Sequence, residues 1–385
     1  MRLLKHSFRL ILCCLTLSTT ALVTAEENQK QVLLVLSGYG QHEVADQAGQ
    51  VTQEERPGYE FDEFSKAYLV FKENGIAVDI ASPKGGAVQA DKYDPEKPFN
   101  ARVLADKAIM AKLENTLSTA SIDVENYHGV FVVGGKGAMF DLPKDQQLQA
   151  FIADIYERQG VVAAVCHGPA ALVDVKLTDG SYLVAGKAVN GFTNHEEQLF
   201  GKKWLPEFDF LLQDKLTERG GRFQSSDIML SHVASDTRLI TGQNPSSTVD
   251  VALEMVKALG VNKVNALSFR DDRTMAQIAA FLSGESSALN AMAADKEYYH
   301  IPLAGMYGYY YLNVAQSDQQ LQQALALMQL AQKSINNPRL DMQIAETQHK
   351  LGDYKKAVAT LHAILAQHPD FEPAEKMLSN LTTSS

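Results

Sequence analysis

The sequence predicts an α/β domain built on a mostly parallel sheet with helices on both faces, followed by an all-α, repeat-like segment. From residue 31 to about residue 260, short apolar stretches of strand length alternate with amphipathic helical stretches. After about residue 262 no further clear strand follows, and Ala, Leu, Gln and Met recur at helical spacing. We therefore expect a first domain over residues 30–260 and a helical domain over residues 265–385.

The predicted strands end at turns that lie close together in a parallel sheet. The strands span 31–37, 77–82, 129–133, 161–165 and 238–241, and the predicted helices include 62–74 and one striped by Leu148, Phe151, Ile152 and Ile155. Ligands bind beyond the carboxyl ends of such strands. Gly38, Gly134 and Cys166 all follow strand ends, so we expect these three loops to converge.

Residues 1–25 have the pattern of a secretory signal peptide. Basic residues are followed by an apolar stretch from 10 to 17 and by small residues at 23–25. Cleavage would remove Cys13 and Cys14 and leave Cys166 as the single thiol, so no internal disulfide is possible. We expect export across the inner membrane, to the periplasm.

Charge and motif spacing exclude several kinds of partner and cofactor. The formal net charge of −11 argues against nucleic acid and against an anionic membrane surface. None of the 10 histidines forms a metal-binding pair such as HExxH, so no metal site is expected. The segment Gly135-Lys136-Gly137 lacks the spacing of a phosphate or dinucleotide loop, and no other cofactor is expected.

Cys166 is the strongest candidate for a reactive residue. An apolar strand runs directly into Cys166-His167-Gly168-Pro169, where Gly-Pro stops the strand and suits the first turn of a helix. Near a helix N-terminus, the dipole and free N–H groups favour a thiolate. The arrangement is that of a nucleophile elbow with sulfur in place of the serine oxygen. On its position alone, Cys166 could equally be a buried structural cysteine.

Four ordered motifs give the first domain a resemblance to a known family. They are GYEFDEF at 58–64, GGKGAMFDLP at 134–143, AVCHGPA at 164–170 and TGQNPSS at 241–247. Together they resemble the PfpI-like superfamily, and within it the branch of heat-shock chaperones and glutathione-independent glyoxalases. The resemblance covers about residues 30–260 and implies a flavodoxin-like fold related to class I glutamine amidotransferases.

The resemblance implies a set of catalytic residues. Cys166 matches the nucleophile of the family and His167 its adjacent histidine. Glu63 matches the carboxyl that touches the sulfur, where the two groups can share a proton. Glu197 best matches the acid that orients the histidine, with Glu196 as a near rival.

The resemblance also implies substrate-binding groups. The backbone N–H groups of Gly135 and His167 would form an oxyanion hole, and Lys136 and Asn244 would contribute to substrate binding. The family commonly has GGHG where this chain has Gly134-Gly135-Lys136-Gly137. Lysine keeps a donor and a charge but does not titrate near neutrality, so it can alter substrate preference or activity.

We therefore expect an exported, cofactor-free glyoxalase that converts a small 2-oxoaldehyde such as methylglyoxal to a hydroxy acid. A stress chaperone or a protein-repair deglycase is the main alternative. A glutamine amidotransferase is less favoured, because the sole His-x-Glu, His195 to Glu197, follows the cysteine strand too soon. A peptidase could use the same nucleophile, but nothing marks a peptide-binding groove.

The C-terminal segment resembles tetratricopeptide repeats. Residues 351–370 carry Gly352, Tyr354, Ala357, Leu361, Ile364 and Pro369 at the repeat's spacing, and residues 309–338 give a weaker copy. Such a segment can bind a protein partner or client, or it can be a helical cap or a dimer interface. The family resemblance favours a homodimer.

Overall fold

The computed structural model describes residues 29–40, 42–45 and 51–383. The predicted signal peptide, with Cys13 and Cys14, lies outside the described residues. Within the described ranges, none of the helices is long and apolar enough to cross a membrane.

In the described part of the chain, seven strands form one mostly parallel sheet, and four further strands form two separate pairs. The strands are β1 (Gln31–Val35), β2 (His42–Ala45), β3 (Val51–Glu54), β4 (Ala77–Ser82), β5 (Leu117–Ser118), β6 (Gly129–Val132), β7 (Val161–Val165), β8 (Ala188–Val189), β9 (Arg222–Phe223), β10 (Val233–Asp236) and β11 (Leu239–Gly242). The seven-stranded sheet has the order β10-β11-β7-β6-β1-β4-β5, and β2-β3 and β8-β9 are the separate pairs.

The register of the sheet brings the predicted loops to one edge. All neighbouring strands of the large sheet are parallel except β10 and β11, which are antiparallel. Val35 pairs with Val132, Val132 with Ala164, and Val165 with Gly242, so four strands end nearly level. The loops that follow β1, β6, β7 and β11 therefore converge.

Helices cover both faces of the sheet. They are α1 (Phe61–Glu73), α2 (Pro98–Leu104), α3 (Lys107–Glu114), α4 (Ala138–Asp141), α5 (Gln146–Glu157), α6 (Asn194–Phe200), α7 (Leu212–Glu218) and α8 (Thr248–Ala258). One core joins α1 and α8 to the sheet, and a second core on the other face joins α5 and α7 to it. The strands alternate between these cores: Leu34 faces the first and Leu33 the second, as expected for a sheet buried on both sides.

The C-terminal region is entirely helical within the described residues. Its helices are α9 (Arg270–Leu282), α10 (Ser287–Ala294), α11 (Ile301–Tyr311), α12 (Asp318–Ile335), α13 (Pro338–Lys350), α14 (Tyr354–Gln367) and α15 (Glu372–Thr383). A third core contains residues of α9 to α12 together with Ile228 and Leu230 of the first domain. The repeat-like positions Ala357, Leu361 and Ile364 are buried in α14; their assignment to tetratricopeptide repeats stays a prediction.

The fold class predicted from the sequence is confirmed. Strand 77–82 has the predicted bounds, whereas the strand predicted over 31–37 ends at Val35. The antiparallel edge strand β10 and the β2-β3 hairpin were not predicted, because short, half-polar strands carry little hydrophobic pattern.

Candidate active site

The backbone at Cys166 has the strained geometry of a nucleophile elbow. Cys166 follows β7 directly and has a φ of 59°, in the left-handed region that non-glycine residues rarely adopt. Its N–H donates to the carbonyl of Gly242 at 2.9 Å, and its own carbonyl accepts from Phe192 N at 2.8 Å. Two neighbouring segments thus hold the bend in place, with 4% of the residue exposed.

His167 lies between the sulfur and a carboxylate. Its Nδ1 is 3.4 Å from Cys166 Sγ, and its Nε2 is 2.8 Å from Glu197 Oε2. Both His167 and Glu197 are buried. A carboxylate in this position fixes the tautomer of the imidazole and stabilises its charged form, so the three side chains form a continuous Cys-His-Glu chain.

Glu63 approaches the sulfur from another side. It lies in the first turn of α1, is completely buried, and accepts a hydrogen bond from Gly134 N at 2.7 Å through Oε2. Its Oε1 has no hydrogen-bond partner of ordinary geometry within the described part of the chain. The carboxyl also interacts with the Cys166 thiol, and the two groups can share a proton.

Burial shifts the pKa values of the acidic groups upward. Burial, and next the neighbouring Glu60, raise the pKa of the Glu63 carboxyl well above its usual range. Burial raises the pKa of the Cys166 thiol, and the Glu63 carboxyl raises it further. The pKa of Glu60 rises to about 7, again chiefly through burial. The thiol and the Glu63 carboxyl therefore titrate as a coupled pair.

Lys136 supplies positive charge to this acidic neighbourhood. The residue is half-buried, and its ammonium group lowers the pKa values of Cys166, Glu60 and Asp91. Lysine at this position thus favours the thiolate through its charge.

The loop after β6 touches both the sulfur and α1. A Cβ on Gly134 would lie 2.7 Å from Cys166 Cβ, and a Cβ on Gly135, which has a φ of 96°, would lie 2.5 Å from Glu60 N. Only glycine fits these approaches. No hydrogen bond from the N–H of Gly135 or of His167 is found among the residues described, and their role as an oxyanion hole stays a prediction.

Asn244 bonds to other groups of the protein through its side chain, and its role in substrate binding stays a prediction. It is completely buried, its Nδ2 donates to Glu196 Oε1 at 2.9 Å and to the carbonyl of Leu230 at 2.8 Å, and its Oδ1 accepts from Ser246 N. Its side chain therefore caps the turn before α8 and anchors Glu196.

Glu196 does not orient His167. Its Oε2 accepts from the N–H of Thr193 at 2.9 Å in a capping box at the start of α6. Its Oε1 accepts from Met229 N, Gln243 Nε2 and Asn244 Nδ2. With both oxygens engaged, Glu196 joins three segments, and Glu197 is the acid bonded to His167.

Aromatic side chains enclose the imidazole. The ring of Phe192 is 4.5 Å from that of His167 and the ring of Phe208 is 6.2 Å from it. Phe208 also packs edge-on against Phe140, whose ring stacks on Tyr39. Sequence analysis missed these rings and the acids Glu60 and Asp91. Glu60 lies within the GYEFDEF motif, and Phe192 within NGFTNHEE.

No group of three or more metal-binding side chains occurs in the described ranges. The groups gathered around Cys166 are a thiol, an imidazole, several carboxyls and an ammonium group.

Comparison with known proteins identifies the family of the first domain. Residues 56–258 match the model of the DJ-1/PfpI family. The chain is 31% identical over 218 residues to the glutathione-independent glyoxalase hsp3102 of Schizosaccharomyces pombe, covering 52% of this chain and 89% of that protein. It is 28% identical over 251 residues to the glutathione-independent glyoxalase HSP31 of Saccharomyces cerevisiae, covering 60% of this chain and 98% of that protein.

Solved structures show the same relationship. The Rapid Encystment Protein of 24 kDa from Francisella tularensis matches with a TM-score of 0.54 and 31% identity, over 60% of this chain and 99% of that one. Glyoxalase III from Candida albicans matches with a TM-score of 0.53 and 25% identity, over 60% of this chain and 97% of that one. The helices from α9 onward lie beyond the match to the family model.

Proposed function

This chain belongs to the DJ-1/PfpI family, and on that premise we propose that it is a glutathione-independent glyoxalase with Cys166 as nucleophile. The substrate would be a small 2-oxoaldehyde and the product the corresponding 2-hydroxy acid. The observation that carries the proposal is the buried chain from Cys166 through His167 to Glu197, with Glu63 on the other side of the sulfur. Relatives named glutathione-independent glyoxalases support the choice of reaction.

The first step is addition of the thiol to the aldehyde. Cys166 Sγ forms a bond to the aldehyde carbon and gives a hemithioacetal. His167 Nδ1, at 3.4 Å, takes the thiol proton, and Glu197 stabilises the resulting imidazolium. The oxygen that gains negative charge is placed to accept from the N–H groups of Gly135 and His167.

The second step moves a proton between the two substrate carbons. Glu63 Oε1, which lacks another partner in the described chain, removes the hydrogen from the former aldehyde carbon, and an ene-diol forms. Returning a proton to the neighbouring carbon gives the thioester of a 2-hydroxy acid. Glu63 acts in its ionised form: the raised pKa makes that carboxylate a stronger base than an exposed one, and it also makes the ionised form a minor fraction at neutral pH.

Hydrolysis closes the cycle. Water attacks the thioester carbon, the carbon–sulfur bond breaks, and the hydroxy acid leaves while Cys166 regains its proton. Electrons move only within the substrate, so no external oxidant or reductant takes part. The reaction needs no glutathione, because the protein's own thiol forms the hemithioacetal.

Phe192 and Phe208 limit the substrate to a small molecule. Their rings lie against His167, and the Cys166 side chain is almost completely buried. A compound such as methylglyoxal, with two carbonyl carbons and one methyl group, suits an enclosed site of this kind. Larger aldehydes would have to displace at least one of these two rings.

Export to the periplasm is part of the proposal and rests on the pattern of residues 1–25. Cell fractionation tests it. We expect the chain in the periplasmic fraction with a new N-terminus near residue 26, and a full-length chain in the cytoplasm would contradict export.

The activity is tested by incubating the protein with methylglyoxal in the absence of glutathione and measuring lactate. Wild type should form lactate, and Glu197→Gln should lower kcat by about 100-fold or more because the imidazolium loses its partner. His195→Ala is the matched control, since it changes an exposed neighbour of Glu197 on α6. Absence of lactate from the wild type would refute the proposed reaction.

A further inference from the structure

The C-terminal helices hold the helix that carries Glu63. Lys66 Nζ of α1 is 2.5 Å from Asp272 Oδ1 of α9, and the two side chains are only 8% and 14% exposed. Asp272 also accepts from Phe269 N at 3.1 Å, which fixes the start of α9. Lys66 lies one helical turn after Glu63, so this pair anchors α1 close to the reactive sulfur.

Further contacts extend this attachment along α1. Lys97 Nζ lies 2.5 Å from Asp62 of α1 and 4.0 Å from Asp271 of α9. At the other end of the helix, Asn74 and Asn265 exchange hydrogen bonds of 3.1 and 2.7 Å. The connection from α8 to α9 thus follows α1 over its whole length.

The same helical region also packs against the helix that carries Glu197. The ring of Tyr310 in α11 meets that of Phe200 in α6 edge-on at 4.9 Å. Tyr307, one turn earlier, shares a core with Ile228 and Leu230. Between those two residues, Met229 donates its N–H to Glu196 of α6 at 2.7 Å.

Both attachments belong to one interface. A cleft of about 210 Å³ is lined by Asp62 and Lys66 of α1, by Phe200 of α6 and by residues of α9 and α11, including Asp272 and Tyr310. Glu63 and Glu197 approach the reactive pair from these two helices, and the C-terminal region joins the outer sides of both.

We propose that Asp272 and Tyr310 are positioning residues for the reactive centre: through Lys66 and Phe200 they hold α1 and α6 so that Glu63 and Glu197 stay against Cys166 and His167. The helical region is then part of the catalytic unit rather than a separate module. The inference rests on Cys166 being the nucleophile of the proposed function, but the thiol's titration can be measured without turnover.

The experiment measures the pH midpoint of Cys166 alkylation in the full chain. The double variant Lys66→Met/Asp272→Asn removes the ion pair without leaving a buried charge unpaired. Tyr310→Leu removes the ring contact while keeping an apolar side chain. Lys72→Met is the matched control, because it removes a 2.6 Å ion pair of α1 with Asp106, outside this interface.

The two test variants should lower the alkylation midpoint from its raised value toward the ordinary ~8.5 of a free thiol, because Glu63 moves away and water enters. They should also lower kcat by about tenfold with a smaller change in KM. Asp272→Glu keeps the carboxylate and should keep the wild-type alkylation midpoint. Lys72→Met should also leave the midpoint unchanged. Folded test variants with the wild-type midpoint would overturn the inference. A shifted midpoint in a protein that forms no lactate would refute the proposed function alone.

Discussion

At the scale of single residues, the site concentrates negative groups around one sulfur and offsets them with one lysine. Glu60 and Glu63 both lie near Cys166, and the charges of both raise the pKa of the thiol. Lys136 opposes them, because its charge lowers the pKa of the thiol.

Lys136→Met should raise the pKa of Cys166. Loss of the ammonium group leaves the acids unopposed, so the alkylation midpoint should move upward by about one pH unit. Lys257→Met is a suitable control, because Lys257 pairs with Glu254 on the exposed side of α8. A midpoint that stays in place or falls would show that Lys136 does not stabilise the thiolate.

Glu60→Gln should have the opposite effect. Glu60, whose pKa is raised to about 7, ionises across the neutral range and then places a negative charge near the sulfur. The neutral amide removes that charge, so the alkylation midpoint should fall, and the effect should be larger at pH 8 than at pH 6. Equal alkylation rates of variant and wild type at both pH values would contradict this role.

One choice left open by the sequence could have been settled by a local pattern. Thr193 and Glu196 stand three residues apart at the start of α6, which is the spacing of a capping box. That pattern assigns Glu196 to the helix end and leaves Glu197 for His167. The hydrogen bond from Asn244 to Glu196 could not be predicted from a local pattern, because the two residues lie 48 positions apart in the sequence.

At the scale of elements, the first turn of α1 and the segment between α6 and α7 determine how the site behaves. The first turn of α1 places the buried carboxyl of Glu63 beside the sulfur of Cys166, and burial of this group lowers the stability of the fold. The segment between α6 and α7 places the Phe208 ring next to the imidazole of His167. Asp209 of this segment forms an exposed ion pair with Lys144, and such pairs contribute little stability.

Glu63→Gln should stabilise the fold, and more so at higher pH. The folded protein keeps Glu63 protonated over a range in which the unfolded chain has released the proton, so Glu63 lowers the free energy of unfolding as pH rises above about 4.5. Thermal unfolding should show a Tm increase of about 4 °C or more at pH 8 and a smaller one at pH 5. A Tm increase of the same size at pH 5 and pH 8 would contradict a raised pKa of Glu63 in the folded protein.

Phe208→Ala should open the site. Removal of the ring exposes His167 and Cys166, so the alkylation rate at fixed pH should rise about fivefold or more, as expected when a local barrier to access is lost. Phe210→Ala, on the same segment, is the control, because the Phe210 ring lies against the ammonium group of Lys215 in α7. Alkylation that stays as slow as in the wild type would place the barrier elsewhere.

At the scale of the whole molecule, the hydrophobic pattern of the sequence predicts the α/β architecture. It does not predict the contacts between the α/β domain and the C-terminal helices. Strand and helix patterns are local, and residues 77–82 show how well they can be located. The Lys66–Asp272 pair joins residues 206 positions apart, and no local pattern predicts such a contact. The homodimer and a client of the C-terminal helices stay proposals, and light scattering of the purified chain would test the first.

The most direct test of the account compares wild type with Cys166→Ala in lactate formation from methylglyoxal without glutathione. The account predicts that the variant loses activity to the uncatalysed rate, because no hemithioacetal can form, while its Tm stays close to that of the wild type. Equal rates for the two proteins would contradict it.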